Sequence, residues 1–248
     1  MIEIKDVYRS FGDNQVLRGV DLTINKGETA VIIGRSGCGK SVLLKLIMGL
    51  LKPDAGKIYV NGDDITSLND DQLNKVRQKF GMLFQASALL DSMTVDENVG
   101  LGLREHTKLS EEEVRQKVKE KLKMVGLSGV EQQKPAELSG GMKKRVGLAR
   151  AIAMDPEYVL YDEPTTGLDP IMADVINELI ICLRNSLSIT SIAVTHDIVS
   201  AYKIADRIAM LYEGKIVFVG TPEEVKSTDQ PVVRQFVEGN AQGPIPAL

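Results

Sequence analysis

The stretch GRSGCGKS, residues 34–41, has the residue types and the spacing of a loop that binds phosphate groups. It directly follows an apolar run typical of a buried strand and directly precedes a predicted helix, which is the context that such a loop needs. Its glycines let backbone N–H groups point at β-phosphate oxygens, Lys40 adds positive charge at the β- and γ-phosphates, and Ser41 offers its hydroxyl to Mg²⁺. We therefore predict a nucleoside triphosphate site here. A glycine-rich turn that matches by chance is the alternative.

Two adjacent carboxylates, Asp162 and Glu163, end the apolar strand predicted over 158–162. We predict that Asp162 binds Mg²⁺, directly or through water. Glu163 comes one residue later and points elsewhere, so it could polarise the attacking water as a general base. On their own these carboxylates would better suit an acidic strand end at the surface. Beside a phosphate-binding loop, the metal and catalytic roles are favoured.

His196 follows another apolar strand, predicted over 191–195. In a parallel sheet the carboxyl ends of the strands share one edge, so we expect His196 near Gly34 and Asp162. There it could stabilise a γ-phosphate by charge and hydrogen bonding. A hydrogen-bonded surface histidine is the alternative. We expect no site role for His106, which lies in the helical middle of the chain.

A second candidate phosphate site begins at Ser139. Ser139 is a good N-cap, and Gly140 and Gly141 leave the first N–H groups of the next helix uncovered at the positive end of its dipole. This turn lies far along the chain from Lys40, and one triphosphate hardly needs two separate cradles in one chain. We therefore predict two chains head to tail, each offering its SGG turn to the nucleotide that the other holds.

The predicted elements alternate between strands and helices, which indicates an α/β protein. Strands are predicted over 2–8, 16–24, 28–34, 80–85, 158–162, 191–195, 207–211 and 215–219, with one more between two turns within 52–65, and helices over 41–51 and 170–184. Between 93 and 155 the periodicity is helical, with a capping box from Ser110 to Glu113 and a stop at Gly126. We predict a single domain over 1–248, with a nucleotide-binding core (1–92 and 156–220), a helical subdomain (93–155), and a C-terminal helix and tail (221–248).

Composition narrows the class of protein. A net charge of −4 and a pI near 5.4 argue against a protein whose main task is to coat nucleic acid. Cys38 and Cys182 lack metal-ligand spacing, which predicts a reducing compartment and no zinc site, and Cys38 needs only to be small. The chain shows no signal-peptide pattern, and its longest apolar stretches are too short to span a bilayer, so we expect a soluble or peripheral protein. We interpret the basic clusters at 117–123 and 143–145 as solvated helix faces.

The order of the motifs GRSGCGKS, Gln85, LSGG, YVLYDEP, GLDP and His196 resembles the nucleotide-binding domain of ABC ATPases over essentially the whole chain. The resemblance implies a P-loop NTPase with the ABC-ATPase fold: a RecA-like core, an N-terminal antiparallel β subdomain and an inserted α-helical subdomain. It also implies ATP and Mg²⁺ as cofactors. Phe11 would stack on adenine beside Val16, and Asp169 would link the two sites across the dimer. Taken alone, Phe11 would better fit a core aromatic at a strand end.

The resemblance also implies roles for individual residues. Gln85 would both touch Mg²⁺ and sense the membrane partner, and His196 would hold the γ-phosphate. The catalytic residues would be Lys40, Glu163 and His196. The metal ligands would be Ser41, Gln85 and Asp162. The ATP-binding residues would be Phe11, Val16, Gly34, Arg35, Ser36, Gly37, Cys38, Gly39, Lys40, Ser41, Val42, Gln85, Ser139, Gly140, Gly141 and Asp169.

Met142 departs from most of that family, which has Gln after LSGG. If backbone amides and Ser139 bind the phosphate, this change leaves activity intact. LSGGM resembles the ATPases that drive lipid transporters with MCE proteins, the Mla and Mkl type, and the stretches 81–99, 103–110 and 236–245 agree. That resemblance implies three partners: a second copy of the chain, an integral membrane permease and an MCE-type lipid-binding protein. It implies no nucleic acid partner and a peripheral position on the cytoplasmic face of the bacterial inner membrane.

Several alternatives stay open. An ATPase subunit of an importer for amino acids or another small solute differs only in Met142 and the tail. ATPases of DNA repair or chromosome organisation share the motifs but carry coiled-coil or zinc inserts, and translation-type members hold two such domains in one chain. The tail at 236–245 would either dock on the partner ATPase or be a frayed end. The segment 86–93 is our predicted groove for a permease helix.

Overall fold

The computed structural model describes residues 1–246, which form two compact units. Unit 1 contains Met1–Val76 and the chain from Ile192 onward, and unit 2 contains Arg77–Ser191. The last two residues of the predicted tail, 247 and 248, lie outside the described range. In chain order the elements are β1 (Ile2–Phe11), β2 (Asn14–Ile24), β3 (Thr29–Ile33), α1 (Lys40–Ile47), β4 (Ala55–Val60), β5 (Asp63–Asp64), α2 (Asp70–Arg77), β6 (Phe80–Leu83), α3 (Val95–His106), α4 (Glu111–Met124), α5 (Gly140–Ala151), β7 (Tyr158–Asp162), α6 (Pro170–Leu187), β8 (Thr190–Thr195), α7 (Ile198–Ile204), β9 (Arg207–Tyr212), β10 (Lys215–Gly220), α8 (Pro222–Ser227) and α9 (Pro231–Glu238).

An antiparallel sheet with the strand order β2-β1-β4-β5 lies in unit 1. Ile2, Ile4 and Val7 of β1 are buried, whereas the side chains between them are more exposed, as expected for a sheet with one covered face. β1 runs to Phe11, beyond its predicted end at residue 8. Phe11 still pairs with Asn14, so the connection is a tight turn rather than the longer FGDNQ segment.

Unit 1 also contains β10, β9, β3 and most of β8, adjacent in that order. β9 runs parallel to β3, and β10 runs antiparallel to β9, so this sheet is mixed. All five residues of β3 are buried, which explains its uninterrupted apolar sequence. Gly34, after β3, and His196, after β8, therefore follow neighbouring strands.

Unit 2 contains the parallel pair β6 and β7, in which Phe80 lies opposite Tyr158. The two rings stack with centroids 4.9 Å apart. A Cβ atom on Gly81 would lie 1.9 Å from the carbonyl oxygen of Ala151, at the end of α5. Only glycine allows β6 and α5 to approach this closely.

Helix α4 of unit 2 begins with the predicted capping box. Glu113 accepts a hydrogen bond from the Ser110 backbone N–H (2.7 Å), and Ser110 accepts one from Glu113, so the predicted capping box of α4 is confirmed. Gly126, with φ 70°, follows the end of α4. Residues 93–155, all within the described range, contain α3, α4 and α5 and no strand. The subdomain boundaries themselves stay a prediction.

The helices carry charged side chains even where they are long. α6 has 18 residues and buries Ile176, Ile180 and Leu183, but it also contains Glu178 and Arg184. Across residues 1–246, no helix is both long enough and apolar enough to cross a bilayer.

Candidate active site

The phosphate-binding loop in unit 1 depends on glycine at two close approaches. At Gly34, φ is 155°, and a Cβ atom would lie 2.4 Å from the Leu211 carbonyl oxygen and 2.9 Å from Cys38 Sγ. At Gly39, φ is 106°, and a Cβ atom would lie 2.8 Å from Val16 Cγ1. A side chain at either position would push the loop out of shape. The sequence motif therefore specifies a backbone shape, and Val16 lies against it.

Lys40 lies inside this loop. Only 6% of Lys40 is exposed, and its Nζ donates hydrogen bonds to the carbonyl oxygens of Gly34 (2.9 Å) and Arg35 (3.1 Å). Gly39 caps α1 and adds no side chain over the first N–H groups of the helix, where Ser41 also lies. A buried ammonium next to a helix N-terminus suits phosphate oxygens, so these residues fit a nucleotide.

Phe11 presents its aromatic ring at the surface, and a neighbouring arginine supports the ring. The Phe11 side chain is 46% exposed, which excludes the core role that Phe11 would favour if taken alone. The guanidinium carbon of Arg9 lies 4.8 Å from its ring centroid. Arg9 is itself held by Asp54 Oδ1 (2.7 Å) and by the Lys52 carbonyl oxygen (3.1 Å). The ring is therefore anchored at the surface of unit 1.

His196 is exposed in the turn between β8 and α7. The Thr195 hydroxyl accepts a hydrogen bond from the Asp197 N–H (3.0 Å), and Asp197 caps α7 by accepting one from the Val199 N–H (3.0 Å). This turn fixes the backbone on both sides of the histidine.

The predicted carboxylates in unit 2 are both buried, with 8% of Asp162 and 8% of Glu163 exposed. The surface alternative is therefore wrong. Glu163 has φ 50°, in the left-handed region that costs a non-glycine residue about 1–3 kcal/mol. Its Oε2 accepts a hydrogen bond from the Thr166 hydroxyl at 3.2 Å. Strain of this kind concentrates at functional sites.

Lys144 corrects our interpretation of the cluster at 143–145 as a solvated helix face. Only 5% of Lys144 is exposed, and its Nζ donates to the carbonyl oxygens of Gln85 (2.5 Å) and Glu163 (3.3 Å). Burial lowers the pKa of Lys144, against the opposing effect of the charges on Asp162 and Glu163. The sequence shows the charge of this lysine but not the direction in which α5 points it.

In the cluster at 117–123, Lys121 alone departs from the predicted solvated face, because Lys119 and Lys123 are exposed and Lys117 is half-buried. Lys121, only 5% exposed, forms an ion pair with Asp155, which also pairs with Lys117 at 3.3 Å. Asp155 follows α5, so these ion pairs join α4 to the segment after α5.

The loop after β6 carries Gln85 and is held by a second cation. Gln85 itself is exposed. Ser87 and Ala88 have φ values of 60° and 47°. The guanidinium of Arg150 donates to the carbonyl oxygens of Ser87 (2.6 Å) and Ala88 (2.7 Å). We refer to residues 84–88 as the Gln85 loop.

The SGG turn begins α5 as predicted. Ser139 Oγ accepts a hydrogen bond from the Met142 N–H (3.3 Å), which confirms Ser139 as the N-cap. Ser139 and Gly140 are exposed, and a Cβ atom on Gly140 would meet nothing within 4 Å. Gly141 is buried against Met172. Met172 belongs to the first turn of α6, whose N-cap is Asp169. The structure thus brings the SGG turn and the Asp169 turn together.

The expected Mg²⁺ ligands are of a suitable type. Within residues 1–246, no group of three or more His, Cys, Asp or Glu side chains could hold a metal ion. Mg²⁺ needs no such group, because it commonly takes one or two carboxylates together with substrate phosphates and water. A buried carboxylate at Asp162 and a hydroxyl at Ser41 fit that pattern.

The chain matches the ABC transporter family over residues 17–166. It belongs to this family. It is 44% identical to the "Probable ribonucleotide transport ATP-binding protein mkl" of Mycobacterium leprae, over 98% of this chain and 70% of that protein. It is 42% identical to the "Intermembrane phospholipid transport system ATP-binding protein MlaF" of Haemophilus influenzae, over 99% of this chain and 93% of that protein. The dimeric ATP-binding cassette MJ0796, in a post-hydrolysis state bound to ADP and Pi, superposes with a TM-score of 0.82 at 36% identity, over 90% of this chain and 99% of that chain.

These similarities confirm three predictions. The α/β ABC-ATPase fold is confirmed, because solved ABC cassettes superpose on nearly the whole chain. The chain is an ATP-binding ABC ATPase. The predicted resemblance to the Mla and Mkl type is also confirmed by its curated relatives. The roles of individual residues stay predictions.

The C-terminal tail of this ABC ATPase packs within unit 1. Gln235, only 7% exposed, donates to the Ile245 carbonyl oxygen (2.9 Å) and accepts from the Ile245 N–H (2.6 Å). Arg35 of the phosphate-binding loop donates to the Pro246 carbonyl oxygen at 2.9 Å. Residues 240–246 are therefore not the frayed end that we considered. Docking of the tail on a partner ATPase stays a prediction.

Sequence reasoning missed four residues that support the predicted ones. Arg9 and Asp54 support Phe11, and Lys144 and Arg150 hold the Gln85 loop. No pattern in the sequence marks them, because a charged residue that contacts a distant segment has the same letter as a solvated one. Their common signal is structural: each donates to, or orients a donor toward, an oxygen atom from a distant part of the chain.

Proposed function

We propose that this ABC ATPase powers a transporter for phospholipid, acting with a membrane permease and an MCE-type protein at the cytoplasmic face of a bacterial inner membrane. Two observations support the cargo. The similarity to MlaF, named for intermembrane phospholipid transport, covers nearly all of both chains. Met142 follows LSGG, the form that resembles this group of transporters. The relative mkl is named for ribonucleotide transport, so cargo is the first property to test.

The nucleotide site that we propose uses the loop geometry directly. Phe11 stacks on adenine with Val16 beside it, and residues 34–42 hold the phosphates through backbone N–H groups and Lys40. Ser41, Gln85 and Asp162 hold Mg²⁺, which would neutralise phosphate charge when bound. The buried Lys40 ammonium is the observation that carries this assignment, because it is already held at the centre of the glycine loop.

We propose that Glu163 is the general base. Its carboxylate is buried, one oxygen is held by Thr166, and its backbone is strained. These features hold the carboxylate in one orientation, as a general base requires. His196 contributes charge and hydrogen bonding at the γ-phosphate.

We propose that the working form is a head-to-tail homodimer. Ser139 and Gly140 form an exposed helix N-terminus in unit 2, which suits an anion that a second chain presents. Asp169 lies in the adjacent turn and would link the two sites. The similar cassette MJ0796 is described as a dimer, which supports this arrangement.

A mixing experiment tests the homodimer. Lys40→Ala and Ser139→Ala chains are each expected to lose ATP turnover, whereas their mixture regains one intact composite site and exceeds both parents. Two copies of the same variant, mixed as a control, should show no gain. A mixture that never exceeds its parents, while both variants remain folded by thermal unfolding, would contradict the shared site.

Purification of the native membrane complex tests the cargo. We expect a permease, an MCE-type subunit and copurified phospholipid, identified by mass spectrometry, and we expect segment 86–93 to cross-link to the permease. Leu90 in that segment is 43% exposed, as an interface residue would be before assembly. A complex that instead contains a soluble amino-acid-binding subunit and no bound lipid would favour the importer alternative.

A further inference from the structure

One face of α5 holds the Gln85 loop at three points. Lys144, Gly147 and Arg150 are three residues apart, so they follow one another along that face. Lys144 binds the Gln85 carbonyl oxygen, and Arg150 binds the Ser87 and Ala88 carbonyl oxygens. Between them, a Cβ atom on Gly147 would lie 2.7 Å from Leu83 Cδ1 and 3.4 Å from Ser87 Cβ. The loop therefore packs directly against the helix backbone.

Lys144 also reaches a second segment. The same Nζ that donates to the Gln85 carbonyl oxygen donates to the carbonyl oxygen of Glu163. The Gln85 loop follows β6, Glu163 follows β7, and Lys144 lies on α5. One side chain thus joins three segments that are far apart in sequence. Arg150, by contrast, donates to two carbonyl oxygens of the Gln85 loop.

Both segments have strained backbones where these cations bind. Glu163, Ser87 and Ala88 all have φ between 47° and 60°. Such conformations persist only where the surroundings hold them in place. Hydrogen bonds from a charged donor are the stronger kind, and a buried ammonium needs them because burial removes its water. Lys144 and the two strained segments therefore stabilise one another.

We infer that Lys144 is a positioning residue, which fixes the Glu163 peptide relative to the Gln85 loop and ties both to α5, whose N-cap is Ser139. A shift of the Gln85 loop would then reach the catalytic carboxylate through a single side chain. This inference rests on the proposed role of Glu163 as the base, and it adds that the position of Glu163 depends on α5. It predicts that Lys144 controls the rate of turnover and leaves ATP binding intact.

The first experiment separates kcat from KM in the full-length chain with MgATP. Lys144→Met removes the donors but keeps a long apolar side chain, and we expect kcat to fall about 30-fold with KM changed by less than about threefold, because small misplacements of reacting groups have effects of this order. Lys144→Arg restores charged donors and should recover most of kcat. Lys143→Met, on the neighbouring half-buried residue, is the matched control and should behave as wild type.

The second experiment measures hydrogen–deuterium exchange in the nucleotide-free chain, so its result does not depend on turnover. In Lys144→Met, we expect faster exchange in peptides covering both 84–90 and 161–168. In Arg150→Met, we expect faster exchange in the first peptide and little change in the second. This difference separates a link between two segments from a general loss of packing, which would loosen both peptides in both variants.

The outcomes distinguish this inference from the proposed function. If Glu163→Gln abolishes turnover and Lys144→Met keeps wild-type kcat and exchange, Glu163 is the base and the link through Lys144 is overturned. If Glu163→Gln turns over normally, the proposed base is wrong, whatever Lys144 does. If Lys144→Met unfolds, the arginine variant decides the question: it must restore both kcat and the protection of 161–168.

Discussion

The phosphate-binding loop and the Glu163 segment both have unusual backbones, but they are stabilised in different ways. The loop is built from consecutive residues, and glycine removes the steric conflict at Gly34 and Gly39. Glu163 keeps its side chain and its strain, and is held by Thr166 and by Lys144 from α5. A binding surface made of backbone can thus be encoded locally. A catalytic side chain that needs a particular direction requires support from elsewhere in the fold.

The same contrast between local and distant support appears in two buried lysines. Lys40 and Lys144 are both buried lysines whose ammonium groups bind backbone carbonyls. The partners of Lys40 lie five and six residues away, whereas those of Lys144 are 59 and 19 residues away. The first lysine can be recognised in a motif. The second can be recognised only in the folded chain.

The largest loss of ATP turnover should come from removing the Glu163 carboxylate. Glu163→Gln keeps the shape and removes the base, so we expect ATP turnover to fall by about 10²- to 10⁴-fold with nucleotide binding retained. Phosphate release and equilibrium binding of ATP measure the two properties. Glu157→Gln, an exposed glutamate just before β7, is the control. Turnover that stays near wild type would remove Glu163 from the mechanism.

A smaller but still large loss, this time of ATP affinity, is expected from a substitution in the phosphate-binding loop. Gly34→Ala would place a methyl group 2.4 Å from the Leu211 carbonyl oxygen, so the loop must shift and its grip on phosphate weakens. Gly37→Ala is the matched variant, since Gly37 also has positive φ (79°) but meets nothing within 4 Å. We expect ATP affinity to fall at least about tenfold further in Gly34→Ala, which corresponds to about 1.4 kcal/mol. Equal losses would show that strain alone, and not the close approach, shapes the loop.

A modest rise in KM for ATP is expected when the support of the Phe11 ring, which we propose stacks on adenine, is removed. Arg9→Met removes the cation beside the Phe11 ring, and since such contacts contribute about 0.5–1 kcal/mol at exposed sites, KM for ATP should rise about two- to fivefold with kcat unchanged. Lys5→Met is the control, because Lys5 makes the same kind of contact with Tyr59. If both substitutions raise KM equally, the support of Phe11 by Arg9 is not specific.

The smallest effect, a change in Tm, should come from the capping box of α4. This helix start is encoded by neighbouring residues and lies outside both the phosphate-binding loop and the Glu163 segment. The backbone hydrogen bond from Ser110 lowers the pKa of Glu113 below its usual value of 4.5. A lowered pKa contributes stability above the unfolded-state pKa, and this contribution is lost as pH falls through the folded-state pKa. The difference in Tm between wild type and Glu113→Gln should therefore be present at pH 7 and shrink below about pH 4.5. Glu112→Gln, in the same first turn but outside the capping box, should show a smaller difference.

The predictions that succeeded depended on short-range chemistry. The capping box at Ser110, the N-cap at Ser139 and the order of strands and helices follow from neighbouring residues or from periodicity. The ends of elements were predicted less accurately: β1 continues to Phe11, beyond its predicted end, because Phe11 still pairs with Asn14 of β2. The interpretation of 143–145 as a solvated face was wrong because helix spacing does not tell which face a neighbouring loop covers.

The sequence alone determined the phosphate-binding loop, the paired carboxylates, the SGG turn and membership of the ABC ATPases, because each is a local arrangement of residue types with a fixed spacing. Tertiary structure decided which charges are buried, how Glu163 is held and where residues 240–246 pack. These depend on carbonyl groups that become partners only when distant segments meet. A backbone oxygen has no letter in the sequence, so the side chains that bind it are found only in the fold.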